Sequence, residues 1–589
     1  ASGTLRLLSM HGRWADVAVT DQETWGTLHG LYQLSTLQGI GYTSLLAFHL
    51  EPIFGLLAPL ALVFHDARYL VAVQAVAIGA TAIPVAWWAR ERLSSVTAWL
   101  LVPLAALLNP VLAQDSAHLF AEIPLCVPFL AFALYFQLTH RWRWFWPALV
   151  LALAVREEVG FIAVGMGLYA LLVQHERRIG AAIAALGAGW AVVALGVLIP
   201  GAAHGQGIFW AQDSFAYLGG GTPASLALNA LTHPLAVVQH IFQARDLWFV
   251  LFLLAPLGLL PVLGLRVTWL VLPTLGYLFI SDTSVYTDPN YWYGSPTLPF
   301  LFFGAIEGIR LLGRWLPQRL PAAYMLAASG LMFWQLGAGP GTRGFASWAY
   351  TPDPRNGEIG QLFQAIPDSA SVSATTNFLP FLAHRRQVYI FPELLLPSDV
   401  YAIDLQGWDG WPGGAGNFQQ YDQALRRVLQ DPAMRKSYLG DGLILADHQP
   451  APQLTPASAT FGDQLQLAGY DAPPVLQPGQ RARFVLRWHV LSPQRQAYTV
   501  FLHFGTTSND KLAQHDGQPW QGYFPTSEWA AGQDVDDPEW LDLPSSLPPG
   551  NYELNVGWYW TDPSGKLQNL TQPDGSTSVQ LGPFAVSAP

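Results

Sequence analysis

The chain contains one cysteine, Cys126, set inside an apolar run. That count excludes a disulfide framework and a cysteine metal site, and leaves packing as its role. Lysine is nearly as scarce, confined to Lys436, Lys511 and Lys566 while arginine is common, a bias we attribute to genomic composition rather than function. Charged residues make up 12% of the chain, against about 25% in ordinary soluble domains. No basic tract suits a nucleic acid. What is present instead is apolar: 51% of 589 residues, enough for several domains and typical of a membrane protein. The net charge of −11 is unevenly spread. The first 340 residues carry charge in short clusters between apolar runs, whereas the remainder reads as a water-soluble chain.

Ala1 to Met10 also lacks a signal-peptide pattern and is too short and broken to span a bilayer. A span needs about 20 apolar residues. Candidates lie roughly at 69–90, 93–113, 117–139, 144–156, 158–174, 178–200, 247–264, 267–281, 294–313 and 320–338. If these alternate, the basic loops at Arg90/Arg92, Arg141/Arg143, Arg177/Arg178, Arg266 and Arg310/Arg314/Arg319 share one side, the cytoplasmic one. The loops 1–68, 114–118, 156–158, 201–246 and 282–293 then lie together outside, with most of the acidic and histidine residues of this half. Pro52 to His65 is apolar for only about fourteen residues, so it reads as an interfacial helix on the outer face. Segment 223–242, with His233 and His240, reads the same way. An even number of spans puts both ends outside, so one further helix is expected before residue 1.

Gly337 to Arg355 is rich in Gly, Pro and Thr and reads as a linker. Helical stretches at Gly357–Ile366 and Phe418–Leu429 then alternate with β runs at Ser371–Ala374, Gln387–Phe391, Val400–Asp404 and Gly442–Ala446, as in a small α/β layer domain. From Ala451 onward, alternating runs and turns at Pro478-Gly479, Asp516-Gly517 and Pro549-Gly550 predict an antiparallel β-sandwich. The expected fold is a polytopic α-helical membrane protein of about ten spans, with an extracytoplasmic α/β domain and a C-terminal β-sandwich. Its expected divisions are an outer loop with interfacial helices over 1–68, a transmembrane domain over 69–338, the α/β domain over 339–449 and the sandwich over 450–589.

Ionisable groups at membrane depth cost about 2.5–3.5 kcal/mol each on insertion scales, so they usually pair or line a cavity. Between Arg13 and Trp25, Asp16 and Asp21 stand between aromatics. They read either as a solvated loop at the lipid interface or as a catalytic carboxylate at the mouth of a lipid-facing cavity. Three more clusters qualify: His49-Leu50-Glu51; Asp115, His118 and Glu122; and Arg156-Glu157-Glu158. His118 and Glu122 share a helical face. Each cluster alone reads equally as an ion pair or a helix-end charge, and the case for function rests on their falling on one side. Mixed His and carboxylate ligands could hold Mg²⁺ or Mn²⁺, although no spacing is diagnostic. In the last outer loop, Tyr286, Asp288, Tyr291, Trp292 and Tyr293 suit sugar stacking or an interfacial aromatic belt. Trp520, Tyr523 and Trp529 suit a glycan platform or the sandwich core.

Together these residues resemble the bacterial membrane-protein family DUF2079, a domain of unknown function. Asp16-Val17-Ala18-Val19-Thr20-Asp21-Gln22 is similar to its "D-L-G-I-x-D-Q" opening. His49-Leu50-Glu51-Pro52 with Leu57-Ala58-Pro59-Leu60 is similar to "H-x-x-P…L-A-P-L", and Arg156-Glu157-Glu158-Val159-Gly160 to "K-E-D-x-G". Ile366-Pro367-Asp368 through Arg385 and Ile390-Phe391-Pro392 resembles its soluble segment, so the likeness covers about residues 10–449. Two departures stand out: Arg156 replaces a lysine, and "D-F-H-P-E" is only loosely kept as Asp115, His118 and Glu122.

The layout is similar to type C glycosyltransferases, which place a catalytic Asp or Glu and interfacial helices in a large first outer loop. The resemblance implies Asp16 as catalytic base, with Asp115 as a second catalytic candidate. Asp21, His49, Glu51, His118, Glu122, Arg156, Glu157, Glu158 and Tyr291 are the implied substrate-binding set. It implies a polyprenyl-phosphate sugar donor with its phosphate near Arg156, membrane lipid around the spans and a bacterial plasma-membrane location. The rival expectation is a non-catalytic scaffold that presents surface domains to glycans or protein partners; fold resemblance alone does not decide between them.

Overall fold

A computed structural model describes residues 2–12, 15–37, 43–117, 119–203, 214–219, 223–241, 243–393, 397–407, 418–431, 433–449, 453–494, 496–507 and 510–587. The chain folds into two compact units, one of Ala1–Asp353 with Pro380–Arg386 and one of Pro354–Leu379 with Gln387–Pro589.

The first unit is helical. Among the described residues, four helices are long and apolar enough to cross a membrane: Arg68–Arg92, Val96–Ala117, Arg177–Ala202 and Leu260–Ile280. A fifth arises if Pro234–Ile241 and Ala244–Leu257, bent by 53°, count as one broken span. The ten apolar stretches seen in the sequence are thus not ten long helices. Ile123–Leu138 and Val159–Leu172 are apolar but shorter, as is Ile53–Leu62, which covers the expected interfacial segment. Apolar runs count residues through bends and 3₁₀ turns, whereas a span needs unbroken helical rise.

Local chemistry sets the breaks. Ser95 caps Val96–Leu107 by accepting from the Ala98 amide at 3.3 Å. Asn109 does the same for Val111 at 3.0 Å just before Pro110 resumes the helix. Helices Val159–Leu172 and Arg177–Val193 turn back on each other through His175, at φ 62°. Their seam is lined by glycine: a Cβ on Gly160 would press on the Gly187 carbonyl at 2.8 Å, and one on Gly180 on the Gly167 carbonyl at 2.8 Å. The backbones approach closely because no side chain stands between them.

Several of the basic ends meet. Arg92 and Arg310 both bond Glu307, at 2.6 and 2.8 Å, and Arg141 lies 3.7 Å from Glu91.

In the second unit, the five-stranded sheet runs Val388–Ile390, Val372–Ala374, Val400–Asp404, Leu443–Asp447, Arg435–Gly440. The first three strands are parallel and the last two antiparallel additions. Helices Asn356–Gln364 and Phe418–Gln430 accompany it, as the pattern predicted, and only the edge strand Arg435–Gly440 was not anticipated. Two antiparallel sheets follow. One runs Asp534–Asp542, Arg481–Val490, Leu465–Asp471, Thr455–Phe461. The other holds Ala513–Gly517, Thr499–Gly505 and Gly550–Thr561, which pairs with both Leu567–Asn569 and Val579–Val586.

Their facing sides interdigitate through Trp488 and Trp558, ring centres 4.8 Å apart. One apolar core runs on from these sheets to Ile403, Tyr438 and Ile444 of the five-stranded sheet. Trp520 and Trp529 belong to that core at 1% and 2% exposure, which settles those two as packing residues, while Tyr523 is exposed.

Candidate functional site

Two short sequence motifs, more than a hundred residues apart, build the centre of the first unit. The chain at His49–Ile53 crosses the turn that ends helix Trp142–Leu153, and the Ile53 amide donates to the Ala154 carbonyl at 2.8 Å. This crossing brings His49 Nδ1 to 2.8 Å from Glu157 Oε1, and the Leu50 amide to 3.0 Å from Glu157 Oε2. Arg156 donates to Glu122 and to His49 Nε2, so the imidazole gives a proton at one nitrogen and accepts at the other. Arg156 Nε also lies 3.4 Å from Glu158 and 3.9 Å from Glu51, and the Tyr277 hydroxyl donates to Glu158 at 3.3 Å.

Helix Ala15–Thr27 adds two carboxylates at the border of this group. Glu23 is buried, and Asp16 is exposed at the first turn. Burial, then the nearby charge of Glu122, pushes the Glu23 and Glu51 carboxyls well above their usual range. Asp16 is also raised, by the desolvating mass of protein around it and then by Glu122. Glu157 behaves differently: burial would raise it, but the bond from His49, the charge of Arg156 and the Leu50 amide hold it below the usual value. The centre therefore gathers Glu51, Glu122, Glu157 and Glu158 around the guanidinium of Arg156, with Asp16 and Glu23 reached through the charge of Glu122.

A cavity of about 280 Å³ opens from this centre. Its polar end is His49, Arg156, Glu157, Glu158 and the tyrosines 277, 286 and 293. Its other wall is apolar: Phe161, Leu195, Phe215, Leu218, Leu226, Ala227, Ala230 and Ile280. Leu226, Ala227 and Ala230 of this wall come from the stretch 223–242 that the sequence offered only as interfacial, and Phe215 and Leu218 from the loop ahead of it.

Six of the expected site residues thus converge: His49, Glu51, Glu122, Arg156, Glu157 and Glu158. Asp16 stands beside Glu122 but does not line the cavity. Asp21, Asp115 and Tyr291 do not line it either. Asp21 is fully buried and pairs with His384 Nε2 at 3.0 Å. Asp115 accepts from Ser295 Oγ at 2.7 Å, while its own carbonyl is bonded by Gln74 at 2.7 Å. Each has one carboxylate oxygen held by a partner that no local sequence pattern announces. Tyr291 is exposed, and its neighbours Tyr286 and Tyr293 face the cavity instead, their rings 4.6 Å apart.

His118 lies outside the described residues. Among those described, no three His, Cys, Asp or Glu side chains are arranged to hold a metal ion. Glu23, Tyr277 and His384 are the residues that sequence reasoning passed over. Glu23, a carboxylate seven positions after Asp16 on the same helix, was the one with a signal.

The family model for DUF2079, described as a predicted membrane protein, matches residues 15–396. The chain belongs to this family. The match begins with helix Ala15–Thr27 and ends beyond segment 380–386, so it takes in the whole carboxylate centre and leaves the sandwich outside. The DUF2079 region is narrower than the 10–449 expected from the motifs. No curated protein matches the chain.

Proposed function

We propose that this DUF2079 protein is a bacterial plasma-membrane glycosyltransferase that moves a sugar from a polyprenyl-phosphate donor to an extracytoplasmic acceptor. The observation that supports this most is the two-ended cavity: an apolar wall suited to an isoprenoid chain, continuous with a polar end rich in hydrogen-bond acceptors. Carboxylates accept from hydroxyls, so that end suits the sugar. Arg156 is already surrounded by Glu51, Glu122 and Glu158. It therefore serves the donor phosphate less well than the motif suggested, and the Tyr286 and Tyr293 hydroxyls take a share of that contact.

Asp16 is the candidate base. An ordinary carboxylate is a weak base at neutral pH, and the raised pKa of Asp16 makes it a better one. It would remove the acceptor hydroxyl proton as that oxygen attacks the sugar carbon and polyprenyl phosphate leaves. The basic helix ends would face the cytoplasm, with the second unit outside.

The test supplies full-length protein with a panel of polyprenyl-phosphate sugars and follows release of polyprenyl phosphate. Release in wild type that falls at least about 100-fold in Asp16→Asn is expected. Full activity in that variant removes Asp16 from the mechanism. No release from folded protein with any donor leaves the scaffold reading, in which the second unit engages glycan or protein partners.

A further inference from the structure

The second unit holds its own cavity, about 270 Å³ in volume. It opens between residues 433–436, strand Arg481–Val490 and the turn that enters strand Asp534–Asp542. Its wall is largely polar and mostly ion-paired. Arg487 grips Asp536 with two bonds, of 2.6 and 2.8 Å, and Arg435 bonds Asp447 at 2.6 Å. Asp534 accepts from His489 at 2.7 Å.

Lys436 breaks this pattern. It is 7% exposed and lines the cavity, and its ammonium donates to the backbone carbonyl of Asp431. Among the described residues, no carboxylate forms an ion pair with it. Burial lowers its pKa, with the charge of Asp431 opposing. An ammonium held out of water, bonded to a carbonyl and with the Asp431 carboxylate acting on it only from beyond ion-pair distance, gains when an anion joins it. Around it, guanidinium donors and carboxylate acceptors alternate, an arrangement that hydroxyl groups can meet in both roles.

We propose that this cavity binds one sugar ring bearing a single anionic group, that group on Lys436 and the hydroxyls on Arg435, Arg487 and Asp536. The volume, just below the about 300 Å³ at which small-molecule pockets usually begin, limits the occupant to about one ring. The proposal does not depend on the transferase reading.

The charge could be a carboxylate or a phosphate ester, and the experiment separates them. Calorimetric titration of the full-length protein in detergent with glucuronate, glucose 6-phosphate and glucose should show one or both acidic sugars binding at least about ten-fold more tightly than glucose. Lys436→Gln should erase that preference, and Lys436→Arg should keep part of it. A second readout needs no variant. Because the chain has only Lys436, Lys511 and Lys566, carbamylation by cyanate can be followed site by site with peptide mass spectrometry. The bound acidic sugar should suppress labelling of Lys436 several-fold and leave the other two unchanged. Binding of glucose as tight as that of the acidic sugars, no binding of either acidic sugar, or labelling of Lys436 indifferent to them would each overturn the proposal.

Discussion

His384 Nε2 lies 3.0 Å from Asp21 Oδ1 across a separation of 363 residues, and Gln22 Nε2 reaches the Arg385 carbonyl at 3.2 Å across the same separation. The Ala67 amide adds a third tie, to the Pro380 carbonyl at 3.2 Å. The Asp21-Gln22 pair of the opening motif therefore works as an anchor for segment 380–386.

Removing one partner of a buried charged pair typically costs about 3–5 kcal/mol. Asp21→Ala should lower the melting temperature of the purified protein and open 380–386 to limited proteolysis. Asp21→Asn, which keeps an oxygen for His384, should cost much less. An Asp21→Ala protein as stable and protease-resistant as wild type would show the anchor to be idle.

Arg156 holds three carboxylates beside it. Arg156→Met should prevent accumulation of monodisperse protein in detergent, since Glu51, Glu122 and Glu158 lose their shared cation. Adding Glu122→Gln to that variant should restore part of the loss, because coupled sites are not additive. Fluorescence-detected gel filtration reads both outcomes, and equal failure of the single and double variants would count against the coupling.

Asp537 and Glu539 point inward on strand Asp534–Asp542 between Val535 and Leu541, with His515 Nε2 2.9 Å from Glu539. Burial pushes Glu539 up to about 8 and Asp537 well above its usual value. Both carboxyls hold protons in the folded state at pH values where the unfolded chain has released them. Stability is then greatest below about pH 4–5 as far as these groups are concerned, and falls as pH rises toward 8. His515, lowered by burial, contributes in the opposite sense but only below about pH 6.5. Between pH 6.5 and 8 the unfolding midpoint should therefore drop, and Glu539→Gln should flatten the slope. A midpoint in wild type that rises over this interval would contradict the assignment.

The seam between Val159–Leu172 and Arg177–Val193 leaves no room at Gly180, where a Cβ would press on both the Gly167 carbonyl and the Leu171 amide at 2.8 Å. Gly180→Val should separate the helices and cost about 1–3 kcal/mol or more. Gly189→Ala, which meets open space, should be neutral or slightly stabilising. Comparison of the two melting curves checks this.

The sheets of the second unit were largely legible, the sandwich strands by period-two alternation and Val400–Asp404, buried along its whole length, as a short run bounded by turn residues. The edge strand Arg435–Gly440 was hidden because Arg, Lys and Gly are poor strand formers and its inward side chains include Lys436. In the membrane half, apolar composition revealed the class of protein but not where helices bend, since a 3₁₀ turn is as apolar as the helix it interrupts. His49 and the Arg156-Glu157-Glu158 run were visible as costly charges in apolar surroundings. That they touch each other was not, because contact across 108 residues leaves no local mark. Asp115 and Asp21 looked alike for the same reason, and each bonds a distant partner instead, Ser295 and His384 respectively.

Leu195 reaches the cavity from inside a π turn, Ala194–Leu198, set into an otherwise α-helical segment. Such a turn amounts to one extra residue wound into the helix, and each residue of an α-helix is worth about 100° of rotation. Excising a single residue there would let the helix close up regularly, keep Ile199 and the residues after it on their present face, and remove the wide turn from which Leu195 reaches the cavity. The shape of the apolar wall is therefore written in chain length as much as in side-chain identity. Across the family, a one-residue gap at this turn would change what the cavity admits more than most substitutions along its surface.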